Sequence, residues 1–275
     1  MIAERILITG CSSGIGRATA VMASREGYDV IATARRPDSL ADLAAQGITT
    51  AGLDVSDASQ CEDIVRRHGP FYALINNAGF GQLGPFERIS EEALRLQYDV
   101  NVFGLARLSQ LVIPGMRERR RGRIIHIGSV VGKFTYPLGA AYCSSKHAVE
   151  SLSDAMRLEL APFGIAVVLI EPGTIATRFF ENAGRKARMP EDEPDDPYAF
   201  LNHGSSLVLG NWAPRRATPN DVAKVVLRAM APGRPAARYV VTWEAKVLIF
   251  LRRLLPDVAV DFVVRRIFKI PKAVP

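Results

Sequence analysis

The sequence predicts one α/β domain in which helices cover both faces of a doubly wound parallel sheet. Short β-branched runs alternate with helical patterns along the chain, which is typical of parallel strands joined by right-handed crossovers. Several of these runs are apolar at successive positions, as strands covered on both faces must be. The length of 275 residues, with 48% hydrophobic and 23% charged residues, allows a single large core.

The predicted strands and helices follow one another in order. Strands are predicted at 5–9, 29–34, 49–53, 72–75, 123–128, 165–170 and 238–242. Helices are predicted near 14–26, 57–68, 90–118, 140–163 and 219–231. The segment 175–217 breaks this alternation, because it is rich in proline and acidic residues and has no clear period. We interpret it as a lid or substrate loop, with a passive surface loop as the alternative.

A glycine-rich turn, LITGCSSGIGRATA, joins the first predicted strand to the first predicted helix. Its glycines allow a tight turn and let a pyrophosphate approach the backbone, while the helix N terminus offers unpaired N–H groups to the phosphates. The glycine spacing is GxxxGxG rather than GxGxxG. The residues of this turn that we predict to bind a dinucleotide cofactor are Gly10, Ser12, Ser13, Gly14, Ile15 and Gly16.

The end of the second predicted strand indicates which dinucleotide binds. An acidic residue there would hold a ribose 2′-hydroxyl, but IATARRP has Ala34 followed by Arg35 and Arg36. A guanidinium favours a 2′-phosphate, so Arg35 predicts NADP(H) rather than NAD(H), with two solvated loop arginines as the alternative. Asp54 and Val55, after the third strand, are also predicted cofactor contacts. Asp54 is placed either to reach the adenine edge or to cap the next helix.

Two polar residues share one face of the fourth predicted helix. In AAYCSSKHAVESL, Tyr142 and Lys146 stand four residues apart, which is about one helical turn. Neither is a typical core residue. The spacing therefore places a phenol and an ammonium side by side, either as a functional pair or as a chance pair on a helix face. The surrounding motifs decide between these two interpretations.

Five motifs, in order, resemble the short-chain dehydrogenase/reductase family. They are TGCSSGIG (9–16), NNAG (76–79), Asn101 in DVNVFG, Ser129 with YCSSK thirteen residues later, and PG (172–173) followed by Thr177. Within that family, ITGCSSGIG, YCSSKHA and EPGTIATRF are most similar to the hydroxysteroid and retinol dehydrogenase branch.

The resemblance implies catalytic roles for four residues. Tyr142 is the general acid/base, and Lys146 both lowers its pKa from the roughly 10 of a free phenol and holds the nicotinamide ribose hydroxyls. Ser129 hydrogen-bonds the reacting carbonyl oxygen. Asn101 anchors a water chain that links Lys146 to solvent. The implied cofactor contacts in the cleft are Asn77, Ala78 and Gly79 on the nicotinamide side, and Pro172, Gly173 and Thr177 at the carboxamide end.

Several other classes of protein are not expected. The three cysteines form no CxxC pair, so neither a disulfide framework nor a metal site is predicted, and a reducing compartment fits best. No signal peptide precedes the first strand and no apolar run is long enough to span a membrane, so we expect a cytoplasmic protein. The net charge is +7, but the basic run RERRRGR (117–123) is interpreted as a solvated turn, and nucleic-acid binding is not expected.

Pro256 divides the C-terminal extension, 243–275, into two predicted amphipathic helices. Their predicted apolar stripes are Val247, Leu248, Leu251, Leu254 and Leu255, and then Val260, Val263, Val264, Ile267 and Phe268. Eight basic and three acidic residues lie between Arg238 and Pro275, with arginine pairs beside the stripes. Such helices either close the mouth of an apolar pocket or lie on a membrane surface. Both alternatives favour a lipophilic substrate.

We therefore expect an NADP(H)-dependent oxidoreductase that interconverts a carbonyl and an alcohol on a steroid-, retinoid- or other lipid-like substrate. A non-catalytic dinucleotide sensor on the same fold is the alternative. The expected organisation is one Rossmann-type domain over 1–275, with a cofactor half at about 1–130, a catalytic helix and substrate loop at about 131–217, and the C-terminal extension. The apolar stripes of helices 90–118 and 140–163 predict a homodimer or homotetramer. Peripheral membrane contact through the C-terminal extension stays open.

Overall fold

The computed structural model describes residues 3–176, 179, 196–204 and 217–272. Thr177, which we expected at the carboxamide end of the cofactor, lies outside the described residues. So does most of the predicted lid or substrate loop at 175–217. Its two ends, Ile175 and Ala217, pair as an isolated parallel bridge.

Seven parallel strands form one sheet within the described residues, in the order β3-β2-β1-β4-β5-β6-β7. The strands are β1 (Arg5–Ile8), β2 (Asp29–Ala34), β3 (Thr49–Gly52), β4 (Ala73–Asn76), β5 (Gly122–Ile127), β6 (Ile165–Glu171) and β7 (Arg238–Val240). The chain builds outward from β1 to β3 and then crosses to β4 on the other side of β1. This reversal between β1 and β4 is the place where doubly wound sheets bind ligands. The predicted fold class is confirmed.

Helices follow the strands as the alternation predicted. They are α1 (Gly14–Arg25), α2 (Ala41–Ala44), α3 (Ala58–His68), α4 (Glu91–Tyr98), α5 (Gly104–Glu118), α6 (Ala140–Leu160), α7 (Pro219–Met230), α8 (Trp243–Leu254) and α9 (Asp257–Phe268). The single helix predicted near 90–118 is in fact α4 and α5 joined by a π-helical turn, Asp99–Phe103. The apolar pattern does not mark that turn, because a single π-helical turn of five residues is too short to show a period of its own.

The sheet separates two apolar cores because neighbouring strand residues point to opposite faces. Ile6 and Ile8 face the core that α1 and α7 cover, whereas Leu7 faces the core under α3 and α5. Leu7 lies in register with Ile31 and Leu74, so the second core runs across the sheet. Strands with apolar residues at successive positions are thus buried on both sides, as predicted.

Local signals fix where the later helices begin. Thr218 and Asp221 form a reciprocal capping box at the start of α7. The Thr242 hydroxyl accepts a hydrogen bond from Ala245 N at the start of α8. Pro256 precedes α9, which confirms the predicted division of the C-terminal extension. No helix in the described part of the chain is long and apolar enough to cross a membrane.

Candidate active site

The carboxyl ends of the central strands bring the predicted site residues to one edge of the sheet. Gly10 follows β1, Asn77 follows β4, Ser129 follows β5 and Pro172 follows β6. The helix α6 then crosses this edge and carries Tyr142 and Lys146. Residues that lie far apart in sequence therefore line one cleft at the topological switch point.

The glycine-rich turn forms a cradle that stays open because its glycines carry no side chains. Gly10 and Gly14 have φ angles of +74° and +60°, which favour glycine. A Cβ at Gly16 would lie 2.6 Å from the Gly10 carbonyl oxygen. Ser13 occupies the N-cap of α1, but its side chain makes no capping hydrogen bond. The open N terminus of α1 and the tight turn fit a pyrophosphate.

Thr9 connects the glycine cradle to the NNAG segment and was not among the predicted site residues. Its hydroxyl accepts hydrogen bonds from Asn77 N at 3.0 Å and Ala78 N at 2.9 Å. The Asn77 amide in turn donates to the Thr9 carbonyl oxygen at 2.8 Å and to the Gly10 carbonyl oxygen at 3.1 Å. The signal was present in the sequence, because Thr9 opens the TGCSSGIG motif.

The expected adenosine contacts lie at the ends of β2 and β3. Arg35 is exposed directly after β2 and makes no ion pair with the described residues. The Asp54 carboxylate accepts hydrogen bonds from Ser56 N at 3.0 Å and Ser56 Oγ at 2.6 Å. The cap of α3 is Asp57, which removes the helix-capping alternative for Asp54. Val55 is buried, and a Cβ at Gly104 would lie 2.6 Å from its carbonyl oxygen.

Tyr142 and Ser129 meet in the middle of the cleft. The Ser129 side chain lies close enough to the Tyr142 hydroxyl to act on its pKa, and both residues are buried. Burial raises the pKa of Tyr142 above its ordinary value, and Ser129 opposes that rise. In the protein alone the net shift is upward because burial dominates, and the lowering of this pKa by Lys146 stays a prediction.

Lys146 lies on the same face of α6 as Tyr142, but its ammonium group is directed at the backbone of β5. Its Nζ lies 6.0 Å from the centre of the Tyr142 ring and donates a hydrogen bond to the Ile127 carbonyl oxygen at 2.8 Å. Burial lowers the pKa of Lys146 to about 8. The ammonium is therefore held beside the cleft at the end of β5, within one helical turn of the phenol.

Asn101 lies in the π-helical turn between α4 and α5, which turns its side chain toward α6. The Asn101 amide nitrogen donates to the Phe80 carbonyl oxygen at 3.0 Å and to Ser145 Oγ at 3.1 Å. Its amide oxygen accepts from Phe80 N at 3.1 Å. A Cβ at Gly79 would lie 3.1 Å from that oxygen. Asn101 thus joins the NNAG segment to the helix that carries Tyr142.

The Pro172–Gly173 segment is fixed between the Ser129 loop and the C-terminal extension. Val130 N donates to the Pro172 carbonyl oxygen at 3.1 Å. A Cβ at Gly173 would lie 2.5 Å from the Thr242 hydroxyl oxygen, so only glycine fits against the start of α8. The expected cofactor contact at Gly173 therefore depends on the position of α8.

An apolar wall surrounds the Tyr142 ring. The Phe179 ring lies 5.3 Å from it, centre to centre, and Leu83, Val130 and Ile249 belong to the same cluster. The inner faces of α8 and α9 complete this wall, through buried Ala245, Ile249 and Phe268.

The predicted apolar stripes of these two helices divide between the outside and the inside of the protein. Leu251, Leu254, Val263 and Ile267 point outward, whereas Phe268 points inward. When a helix carries apolar residues on two faces, the sequence pattern does not indicate which face packs against the core.

The geometry is that of a dinucleotide-binding oxidoreductase, and comparison with known proteins gives the family. The family model "short chain dehydrogenase" matches residues 4–188, and the chain belongs to that family of oxidoreductases. The resemblance inferred from the five motifs is confirmed.

Three curated relatives are similar over nearly the whole chain. Uncharacterized oxidoreductase YbbO of Escherichia coli (strain K12) is 35% identical over 94% of this chain and 93% of its own. Human 17-beta-hydroxysteroid dehydrogenase type 1 is 35% identical over 92% of this chain and 81% of its own. Retinol dehydrogenase 8 of Bos taurus is 34% identical over 92% of this chain and 86% of its own. These relatives confirm the similarity to the hydroxysteroid and retinol dehydrogenase branch.

Solved structures share the fold. A short-chain dehydrogenase from Streptomyces avermitilis is 34% identical, covers 96% of each chain and superposes with a TM-score of 0.81. A short-chain dehydrogenase from Sphingobium yanoikuyae in complex with NADPH is 26% identical, covers 99% of this chain and 98% of its own, and has a TM-score of 0.73.

Proposed function

We propose that the protein uses NADP(H) to interconvert a carbonyl group and an alcohol on a lipophilic substrate. The observation that carries this proposal is that the buried Tyr142 phenol and the buried Ser129 hydroxyl lie close together, with Lys146 one helical turn away, at the edge where the glycine cradle opens. A phenol, a second hydroxyl and a cation around one point are what a carbonyl oxygen needs when it gains negative charge.

Each side chain has a distinct task in this proposal. Burial keeps Tyr142 protonated near neutral pH, so its hydroxyl is ready to donate a proton to the carbonyl oxygen. Ser129 holds the same oxygen by a hydrogen bond. The Lys146 ammonium stabilises the negative charge that proton transfer leaves on the phenol. Asn101 acts through its bonds to Phe80 and Ser145, which fix the position of α6.

Arg35 is the basis for proposing NADP(H). It is exposed at the end of β2, where a dinucleotide whose pyrophosphate rests on α1 would place its adenosine ribose. The guanidinium favours the 2′-phosphate that distinguishes NADP(H). When bound, NADP(H) supplies or accepts the hydride. The Sphingobium yanoikuyae relative, solved with NADPH, supports the assignment.

The apolar wall around Tyr142 supports a lipophilic substrate. Phe179, Ile249 and Leu83 offer no charged group to a substrate that approaches the phenol. The names of two relatives, a retinol dehydrogenase and a hydroxysteroid dehydrogenase, support the same class of substrate.

A substrate panel tests this function. NADPH consumption would be followed with a steroid ketone, retinal, a long-chain aliphatic ketone and a small water-soluble ketone. We expect turnover of at least one large apolar carbonyl, with a higher kcat/KM than the small ketone. If the protein binds NADPH, measured by nucleotide fluorescence, yet turns over no carbonyl and no matching alcohol, the non-catalytic sensor is the better account.

The outer face of the C-terminal helices supports a second proposal, peripheral contact with an anionic membrane surface. On α8 the exposed apolar residues recur on the face opposite Ala245 and Ile249; they are Trp243, Val247, Phe250, Leu251 and Leu254. On α9 they are Val258, Phe262, Val263 and Ile267. Trp243 is 70% exposed and Val258 is 80% exposed, so these are exposed apolar faces rather than half-buried core edges.

Cations border that surface. Lys246 and Arg253 flank the α8 stripe, and Arg265 and Arg266 are exposed on α9. Neither Lys246 nor Arg253 forms an ion pair with an acidic side chain in the described residues. An apolar face edged by cations binds anionic lipids by burial and by charge together.

Vesicle sedimentation tests the membrane proposal. We expect the protein to pellet with phosphatidylglycerol-containing vesicles at low salt but not at high salt, and not with neutral vesicles. A Phe250→Glu/Leu254→Glu variant should stay in solution, whereas a Phe86→Glu control, which changes an exposed phenylalanine outside both helices, should pellet. If the wild type does not pellet and the double variant halves its mass in solution, the face joins two copies instead.

We also propose a homodimer or homotetramer formed through α4, α5 and α6. Leu96 and Leu158 are exposed on α4 and α6, and Phe103 is exposed in the π-helical turn. Light scattering should give a dimer or tetramer for the wild type, and Phe103→Glu should shift it toward the monomer. A monomeric wild type at micromolar concentration would contradict this assembly.

A further inference from the structure

Five charged side chains form a cluster where the Ser129 loop, α6, β6 and β7 meet. They are Lys133, Glu150, Asp154, Glu171 and Arg238. The two glutamates are nearly inaccessible to solvent, with side chains 8% and 2% exposed for Glu150 and Glu171. Buried carboxyl groups are costly unless they are paired, so such a cluster calls for an explanation beyond solubility.

Two cations hold the glutamates together. Glu150 Oε2 accepts hydrogen bonds from Lys133 Nζ and from Arg238, whose Nη2 lies at 3.2 Å. The same cations approach Glu171 Oε1, with Lys133 Nζ at 3.6 Å and Arg238 Nε at 3.7 Å. Arg238 Nη2 also donates to Asp154 Oδ2 at 2.5 Å, and Arg157 pairs with Asp154 from the same helix.

The two glutamates meet at the same pair of cations, since Lys133 and Arg238 each lie within 3.7 Å of both carboxyl groups. Oε1 of each glutamate is buried without a hydrogen-bond donor among the described residues. One shared proton would satisfy both oxygens. Burial, followed by the hydrogen bond and the charge of Glu150, raises the pKa of Glu171 to about 7, while Lys133 and Arg238 oppose the rise.

Each glutamate is attached to a segment that carries the active site. On α6, Glu150 lies two turns after Tyr142 and one turn after Lys146, so all three residues share one face of the helix. Glu171 is the last residue of β6 and directly precedes Pro172–Gly173.

The cation Lys133 belongs to the third segment of the site. It follows the short helix Val130–Gly132, whose N-cap is Ser129. A Cβ at Gly132 would lie 2.9 Å from Glu150 Cγ, so this short helix packs directly on α6 at the cluster.

We propose that Glu150 and Glu171 are positioning residues that share one proton and thereby hold the Ser129 loop, α6 and the Pro172–Gly173 segment in their working arrangement. The inference rests on the proposed function, because the arrangement it preserves is that of Tyr142, Ser129 and the cofactor contacts. Neither glutamate touches the reacting atoms.

The shared proton makes the arrangement sensitive to pH. Below about pH 7, Glu171 keeps the proton and the pair carries one negative charge between Lys133 and Arg238. As the pH rises through about 7, the proton leaves and two buried carboxylates repel each other across the contact of α6 with β6. We therefore expect kcat to fall across this range while the KM for NADPH changes less.

Glu171→Gln tests the proposal, because glutamine keeps the shape and the hydrogen bond but cannot ionise. The kcat of the wild type, measured from pH 5.5 to 9, should show an inflection near pH 7 that this variant lacks. Glu159→Gln, at an exposed position of α6, is the matched control and should keep the inflection. A Glu171→Gln profile identical to that of the wild type would overturn the proposal.

A carbon-13 NMR titration of glutamate carboxyl groups in the unaltered protein gives a readout that needs no activity. A buried carboxyl that titrates near pH 7 and is absent from Glu171→Gln is the expected result. Its absence from the wild type overturns the proposal, even if the variant does not fold. A protein that shows this resonance but turns over no substrate would instead contradict the proposed function and leave the shared proton in place.

Discussion

The Phe268 ring stacks on the Tyr136 ring, with centroids 6.4 Å apart and planes 14° from parallel. Phe268 ends α9, while Tyr136 lies shortly before α6, so this contact ties the C-terminal extension to the segment that leads into the helix of Tyr142 and Lys146. Phe268 also packs against Gly204, where no Cβ would fit. The C-terminal extension is therefore part of the site's wall.

Replacing Phe268 tests whether that wall selects the substrate. Phe268→Ala should raise the KM for a large apolar ketone much more than the KM for a small water-soluble one, because it removes apolar contact area only where a large substrate reaches. Steady-state kinetics with both ketones would measure the difference. Ile267→Ala, at an exposed neighbouring position, is the control and should change neither KM. Equal effects on both ketones would mean that Phe268 only stabilises the fold.

The choice of cofactor should depend on Arg35. Arg35→Asp removes the cation and places a negative charge near the 2′-phosphate, so kcat/KM for NADPH should fall strongly while that for NADH stays level or rises. Arg25→Asp makes the same charge change at the exposed end of α1 and should leave the preference unaltered. A wild type without preference for NADPH over NADH would show that Arg35 is a solvated loop residue.

Burial of Lys146 should appear in the pH dependence of stability of the protein without cofactor. The pKa of Lys146 is about 8 in the folded protein and 10.5 as the ordinary value, so folding releases a proton between these pH values. This contribution to the free energy of unfolding therefore rises as the pH increases from about 8 to 10. Urea unfolding of wild type and Lys146→Met should show that the wild type gains stability relative to the variant across that range. A constant difference would indicate that Lys146 is solvated.

The sequence motifs predicted the fold, and they predicted which residues meet at one edge of the sheet, because both depend on short-range patterns. Glycines at 10, 14 and 16 must stand at a strand–helix turn, and the spacing of Tyr142 and Lys146 places them on one helix face. Such patterns can be recognised without knowing which distant segments of the chain come into contact.

Long-range burial was not predictable in the same way. The pKa of Tyr142 depends on how deeply α6 is covered by segments such as Phe179 and α8, which no local pattern encodes. The π-helical turn at Asn101 and the hydroxyl of Thr9 were also missed, because their roles arise from contacts with Ser145 and with Asn77 and Ala78 across the cleft. The cluster that brings Glu150 and Glu171 to the same two cations joins elements that only the folded sheet places side by side.

The central claim is that the Tyr142 hydroxyl transfers the proton in a hydride-transfer reaction. Tyr142→Phe removes that hydroxyl and keeps the ring in its apolar surroundings, so single-turnover reduction of an accepted ketone by NADPH is the most direct measurement. We expect the rate to fall by about 10²–10⁴-fold, the usual range for loss of general acid/base catalysis, while NADPH affinity stays within a few-fold of the wild type. A variant that reduces the ketone at nearly the wild-type rate would contradict the account.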